Sequence, residues 1–314
     1  MKPEEPPFPI GGQAVLEGVM MRSPGAWAIA VRLPDGSVLL KEEPYSSLGA
    51  RYPLLKKPFL RGPVILIEAL VTGVKALTFS AQAALSEEEE SLGWGSLALT
   101  LGAAFLLAFV FFGFLPHWLS GLAGHLAGHP LTPADFTFHL IDGLIKVTFL
   151  LLYIWGISWF RDIRRVFQYH GAEHKSVCAY EAGEPLDLDH ARKHSTCHPR
   201  CGTSFILVVL LVSILLFTVF FPLFPPLTRP GLLNNLLQVI IKVGLMFPIA
   251  ALSYEIIRCG GRHTEHPLAR TLLWPGLLTQ RHTALEPDDS QIEVALEALR
   301  AVLAHETRAN TASE

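Results

Sequence analysis

Apolar residues gather in four long runs separated by polar stretches, and each run has about the 20 residues a helix needs to cross a bilayer. They are Gly95–Leu115, His139–Phe160, Thr203–Phe224 and Leu232–Ile257. A fifth stretch, Gly62–Leu85, differs because Glu68, Thr72, Lys75, Thr78 and Gln82 recur every three or four positions. They draw one narrow polar stripe on an apolar helix, which predicts a helix lying in the interface or packed on the bundle. Ahead of these runs the pattern shortens to strand-like segments. "AWAIAVR" and "SVLLKEE" flank "LPDG", where Pro34 presets φ and Gly36 accepts positive φ, so a tight turn between strands is predicted. "GGQAVLEGVMMR" before them predicts a further strand. Late in the chain, Ser290 and Glu293 read as a capping box, after which Ile292, Ala295, Leu299 and Val302 share one face. The expected fold is mainly α: a polytopic membrane helical bundle with four transmembrane helices, an interfacial amphipathic helix and a small N-terminal β element.

Composition supports the membrane reading. Half of the 314 residues are hydrophobic, 17% are charged and the mean hydropathy is +0.37, a balance too apolar for an ordinary soluble chain. The formal net charge of −3 points away from a nucleic-acid partner. The lipid bilayer is the expected partner, together with an unidentified protein or peptide. The opening "MKPEEPPFPI" lacks the basic and apolar regions of a cleavable signal. Lys and Arg number nine in residues 1–94, seven in 161–202 and six in 258–314, against none in 116–138 and only Arg229 in 225–231. Four spans with both termini cytoplasmic place every basic region on the positive side of a cytoplasmic membrane. That leaves a β-rich region 1–50, an interfacial segment 51–94, helix pairs 95–160 and 203–257, a His/Cys-rich loop 161–202 and a tail 258–314. The acidic run Glu87–Glu90 is expected to be a solvated connector.

The loop is where chemistry is expected. Residues 161–202 hold His170, His174, His190, His194, His198, Cys178, Cys197 and Cys201, eight of the chain's seventeen His and Cys residues. Cytoplasmic cysteines stay reduced, which favours metal binding or reactivity over disulfides. "HGAEH" places His170 and His174 one helical turn apart on one face, a spacing that holds two corners of a tetrahedral ion. Glu173 lies beside them, where it can take a proton from water; inverzincin peptidases use this arrangement. Glu181 or His194 is expected to complete the shell, and Cys178, Cys197 and Cys201 can form a separate structural site. The cofactor expected is a divalent metal, zinc first. A structural reading, with a closed knot of ligands, accounts for the same residues.

Two further groups carry polar side chains. Glu255, Cys259, His263, Glu265 and His266 lie just past the fourth span, with Glu255 and Arg258 expected to pair at a helix end. Asp142, Lys146 and Lys242 lie inside spans, where a charge costs several kcal/mol unless paired. Pairing of Asp142 with Lys146 or Lys242 as structural glue is the expected arrangement; binding of an anion or lipid phosphate is the alternative.

"GGQAVLEGVMMRSP", "YHGAEHKSVCAYE", "HSTCHPRCGTSF", "PIAALSYEIIR" and the tail "LLTQRHTALEPDDSQIEVALEAL" together resemble the YqhQ-like family of bacterial membrane proteins over nearly the whole chain. The resemblance implies a bacterial cytoplasmic-membrane protein and a predicted metal-dependent enzyme. One departure is "TALEP" at Thr283–Pro287, where the family has Thr-Thr-Arg-Glu-Pro. The leading functional expectation is metal-assisted hydrolysis at the membrane face, with Glu173 activating water. The alternatives are a non-catalytic assembly factor or scaffold with structural zinc, and a small transporter or ion regulator using Asp142, Lys146 and Lys242.

Overall fold

The computed structural model describes residues 8–84, 94–223, 232–263 and 265–311. Four antiparallel strands open the chain in the order β1 (Gly11–Val15), β2 (Gly18–Arg22), β3 (Ala26–Arg32) and β4 (Val38–Pro44). The expected turn closes β3 onto β4: Gly36 sits at φ +88°, and the Leu33 N–H donates to Ser37 O at 2.8 Å. "GGQAVLEGVMMR" supplies two strands rather than one, turning at Leu16–Glu17.

Helices follow as α1 (Leu48–Arg51), α2 (Arg61–Ala84), α3 (Trp94–Phe109), α4 (Leu115–Leu126), α5 (Phe136–Ile157), α6 (Arg161–Glu181), α7 (Leu188–Ala191), α8 (Gly202–Leu223), α9 (Leu232–Arg262), α10 (Pro267–Thr283) and α11 (Asp289–Thr311). A π-helical turn, Val110–Phe114, joins α3 to α4. Among the described residues, five helices are long and apolar enough to cross a membrane: Arg61–Ala84, Ala98–Leu126, Phe136–Ile157, Gly202–Leu223 and Ile240–Arg262. The first of these is the striped helix α2. The acidic run Glu87–Glu90 lies outside the described residues, as do Phe224 and Pro225 to Gly231.

Alternation along β3 explains how the sheet is covered twice. Trp27, Ile29 and Val31 point to one face, where Val15 and Met20 join them and α2 closes over with Ala76, Phe79 and Ala83. Ala28 and Ala30 point to the other, and their small side chains let α6 and α11 pack close with Tyr169, Ala172, Ala295 and Leu299. The start of α2 reaches a different neighbour. Arg61 pairs with Glu255 of α9, and a Cβ at Gly62 would lie 2.7 Å from Tyr254 Cβ. Glu255 therefore pairs with Arg61 rather than with Arg258.

Helix α11 begins two residues earlier than its sequence signature suggests. Asp288 and Gln291 form the reciprocal cap, with the Gln291 N–H donating to Asp288 Oδ1 at 3.0 Å and the Asp288 N–H to Gln291 Oε1 at 2.9 Å. Glu293 turns away toward Arg32, at 3.8 Å. The apolar face Ile292, Ala295, Leu299 and Val302 is buried. Helix α10 was not visible as a periodic segment; Pro275 interrupts it, yet it runs from the end of α9 back to α6.

Candidate metal centre

Segment 161–202 begins with the 21-residue helix α6, which is covered on nearly every side from Tyr169 to Val177. The sheet and α11 take one side. Two extended segments close the other. Thr283–Pro287 crosses α6 at Gly171, where a Cβ would lie 1.9 Å from the Leu285 carbonyl oxygen. The Leu285 N–H fastens this crossing to Phe167 O at 2.9 Å. The second segment, 192–201, is fastened by buried Lys175, whose Nζ donates to Arg192 O at 2.9 Å and His194 O at 2.8 Å and pairs with Glu286 at 2.8 Å.

Carbonyls from these segments set the imidazoles. His170 Nδ1 lies 2.6 Å from Thr283 O, and His174 Nδ1 lies 2.5 Å from Thr196 O. A carbonyl only accepts, so each neutral ring carries its proton on Nδ1 and leaves Nε2 as a lone pair. Metal-ligating histidines are held in this way. The two rings stand 4.3 Å apart, and His170 Nε2 is 3.2 Å from Cys201 Sγ. One ligand atom from each of His170, His174 and Cys201 lies within 4.8 Å of the others. Zinc–nitrogen and zinc–sulphur bonds of about 2.0–2.3 Å put neighbouring ligands of one ion roughly 3–4 Å apart; the His170–Cys201 distance falls in that range, and the outer limit of 4.8 Å for the group lies just beyond it. The Thr203 N–H donates to Cys201 Sγ at 3.4 Å. Burial of the His174 ring lowers its pKa, which keeps it in the neutral, ligating form.

Glu173 is buried on the same helix, at 6% exposure. Burial raises its pKa; His170, His198 and the Gly12 N–H pull the other way. Its Oε2 has no hydrogen-bond partner among the described residues. A Cβ at Gly12 would come within 3.1 Å of the Glu173 carboxyl carbon, so the glycine lets β1 run directly against the acid.

The other sequence candidates have different partners. Glu181 pairs with Arg200 and accepts from His198 Nε2 at 3.3 Å. Burial works to raise the Glu181 pKa, but His198 and Arg200 outweigh it and hold it low. His194 Nε2 faces Glu184 at 2.9 Å, and His190 Nδ1 faces Asp187 at 2.7 Å. Neither Glu181 nor His194 joins the His170, His174 and Cys201 group. Cys178 and Cys197 also lie outside it, half-buried. Burial pushes the Cys178 thiol up to about 11, with Glu181 adding to the effect. Past α9, Cys259 Sγ lies 4.0 Å from His263 Nδ1 and is exposed.

Inside the spans, Lys146 pairs with Asp142 at 2.5 Å, one turn apart. Lys242 does not join them through a hydrogen bond; its Nζ sits over the Phe217 and Phe221 rings at 5.7 and 5.6 Å. Sequence reasoning missed the carbonyls of Thr196 and Thr283, buried Lys175, and Gln280. That glutamine accepts from the His198 N–H and donates to His198 O and Ser204 Oγ, tying α10 to the ligand segment. Spacing in "LLWPGLLTQRHT" contained the signal, since Leu273, Gly276 and Gln280 share a helix face.

Membrane-length helices joined to a polar-packed layer with a His/His/Cys cluster define the class: a membrane protein carrying a candidate metal centre. The chain belongs to the family described as a protein of unknown function, DUF1385, whose model matches residues 57–305. It is similar to the uncharacterized protein YqhQ of Bacillus subtilis (strain 168), at 33% identity over 316 residues, covering 96% of this chain and 95% of that protein. No solved structure matches.

Proposed function

We propose that this protein is a cytoplasmic-membrane hydrolase, with a divalent ion, zinc first, held by His170, His174 and Cys201. The observation that carries the reading is the pair of Nδ1–carbonyl contacts, which turns both Nε2 lone pairs toward one sulphur. Three protein ligands leave the fourth corner of a tetrahedral ion to water or substrate, as catalytic zinc sites do. An ion bound there supplies Lewis acidity and acidifies a coordinated water to a pKa of about 7. The chain supplies the rest. Thr196 and Thr283 hold the ring orientation, and Lys175 holds the segment bearing Thr196 O. Glu173 takes and returns the proton at its free Oε2, and the apolar cover of α6 excludes bulk water.

In this reading four helices span the bilayer, and α2 lies along the cytoplasmic face. Its first turn meets Glu255 at the end of α9 and its second half meets the sheet, so both ends contact the polar layer. Charge placement independently puts that layer in the cytoplasm.

Elemental analysis of protein purified in mild detergent tests the site. One divalent ion per chain is expected in the native protein and in Glu173→Gln, and none in His174→Ala or Cys201→Ala. Absence of a stoichiometric ion from the native protein overturns the reading. Hydrolytic activity retained in Glu173→Gln would remove Glu173 from its role.

A further inference from the structure

A cavity of 430 Å³ opens where α5 gives way to α6, lined by Trp155, Ser158, Trp159, Arg164, His282 and Leu285. We infer that it binds the phosphate headgroup of an anionic phospholipid from the inner leaflet. The inference takes from the proposed function the crossing of α5 through the bilayer with its C-terminal end on the cytoplasmic side, and it needs no metal.

Location comes first. Helix α5 has 22 residues, so at 1.5 Å per residue it is about 33 Å long, close to the hydrocarbon thickness. Its C-terminal end therefore falls at the headgroup level. Trp155 and Trp159 mark that level, exposed by 50% and 72%, with their rings edge to face at 4.6 Å. Indoles favour this interface because one side is apolar and the N–H is polar.

Charge comes second. Arg164 lines the cavity and its guanidinium makes no ion pair or hydrogen bond among the described residues, whereas that of its neighbour Arg165 is used by Glu17 at 2.5 Å. A guanidinium fork matches two phosphate oxygens. His282 adds a second donor, and no acidic side chain lines the space. Arg161, one turn before Arg164, and Arg281, beside His282, also lack ion-pair partners among the described residues. Asp162 lies on the same turn of α6 but does not line the cavity. The Ser158 hydroxyl donates back to Trp155 O at 2.7 Å, so recognition falls to Arg164 and His282.

Size comes third. A volume of 430 Å³ suits a phosphodiester headgroup but not a folded partner. Leu285 forms part of the lining, and Thr283 of the same segment holds His170. A headgroup docked here lies against the segment that anchors the candidate metal ligand, which makes a lipid-borne molecule the substrate class to try first.

Native mass spectrometry of the full chain, released from detergent with phosphatidylglycerol, phosphatidylcholine or inorganic phosphate, tests the inference. Retention of phosphatidylglycerol over phosphatidylcholine is expected, with a loss of about tenfold in Arg164→Gln, as for removal of one charged hydrogen-bonding group. Arg164→Lys keeps the charge without the fork and should fall between. Arg164 is exposed, so folding should survive both substitutions, and metal content measured on the same samples should not change. Equal retention of the two lipids, an unaltered preference in Arg164→Gln, or full displacement by inorganic phosphate overturns the inference.

Discussion

Histidines are buried in two regions of this molecule, and they are used differently. On α6, His170 and His174 each give Nδ1 to a carbonyl from a segment that crosses the helix, and their Nε2 atoms converge with Cys201. In the apolar bundle, His139 uses Nε2 on Pro133 O at 2.8 Å, stacks on Phe221 at 5.0 Å, and leaves Nδ1 without a partner. His117 packs edge-on against Phe138 at 4.8 Å. The bundle also holds Asp142, Lys146 and Lys242, yet no three ligand atoms converge there among the described residues. What sets the α6 pair apart is a carbonyl fixing the second nitrogen of each ring, the arrangement found at metal-ligating histidines.

The largest contrast should be in bound metal. His174→Ala is expected to remove the ion completely, while His139→Ala leaves it at native stoichiometry, as read by elemental analysis. Equal loss in both would erase the distinction between the two regions.

Glycines give the next contrast. Gly171→Ala forces a methyl group against the Leu285 carbonyl oxygen at 1.9 Å, whereas Gly244, on α9, has nothing within 4 Å of an added Cβ. The first substitution should cost about 3 kcal/mol as overpacking and weaken metal binding roughly 10–100-fold by displacing Thr283 O. Gly244→Ala should be neutral or slightly stabilising, by up to about 1 kcal/mol of helix propensity. Thermal unfolding in detergent, with and without added ion, separates the two.

How much of this was legible in the sequence follows from which interactions are local. The membrane-length helices read directly from hydropathy, because lipid demands long apolar runs. The hairpin around Gly36 and the pairing of His170 with His174 read from spacing, since both are set within one turn of chain. The second strand in "GGQAVLEGVMMR" was harder, because its turn at Leu16–Glu17 lacks the usual glycine pair and places Glu17 at φ +51°. Which cysteine meets the histidines was not legible. Cys178, Cys197 and Cys201 look equivalent along the chain, and the choice depends on where 192–202 folds back over α6. The holding carbonyls of Thr196 and Thr283 have no residue signature at all, because every residue has a carbonyl. Glu181 and His194 were plausible ligands until Arg200 and Glu184 were seen beside them.

Buried lysines carry the comparison to smaller energies. Lys175 is 3% exposed and satisfies two carbonyls and Glu286, while among the described residues Lys242 has only the faces of two phenylalanines. Lys175→Met leaves the carbonyls of Arg192 and His194 without their donor and should cost about 2–3 kcal/mol. Lys242→Met forfeits a cation–π contact of about 1 kcal/mol and gains by no longer burying an ammonium, so its net effect should be close to zero. A larger loss for Lys242→Met than for Lys175→Met, in denaturant or heat, would mean that the bundle lysine has a role the geometry does not show.

The smallest effect concerns the thiols, and it separates coordination from burial. Alkylation requires thiolate. Cys259 is exposed and should react first. Cys178 is half-buried with its pKa pushed up to about 11, so at neutral pH it is almost wholly protonated and should react slowly, speeding up as pH rises toward that value. Adding metal should leave both rates unchanged, because neither sulphur lies in the His170, His174 and Cys201 group. Cys201 should behave oppositely: protected with metal present and exposed to reagent only after chelation. Mass mapping of alkylated peptides with and without a chelator reads all three at once. Protection of Cys178 by metal would move that sulphur into the coordination shell and force a closed, structural centre in place of an open one.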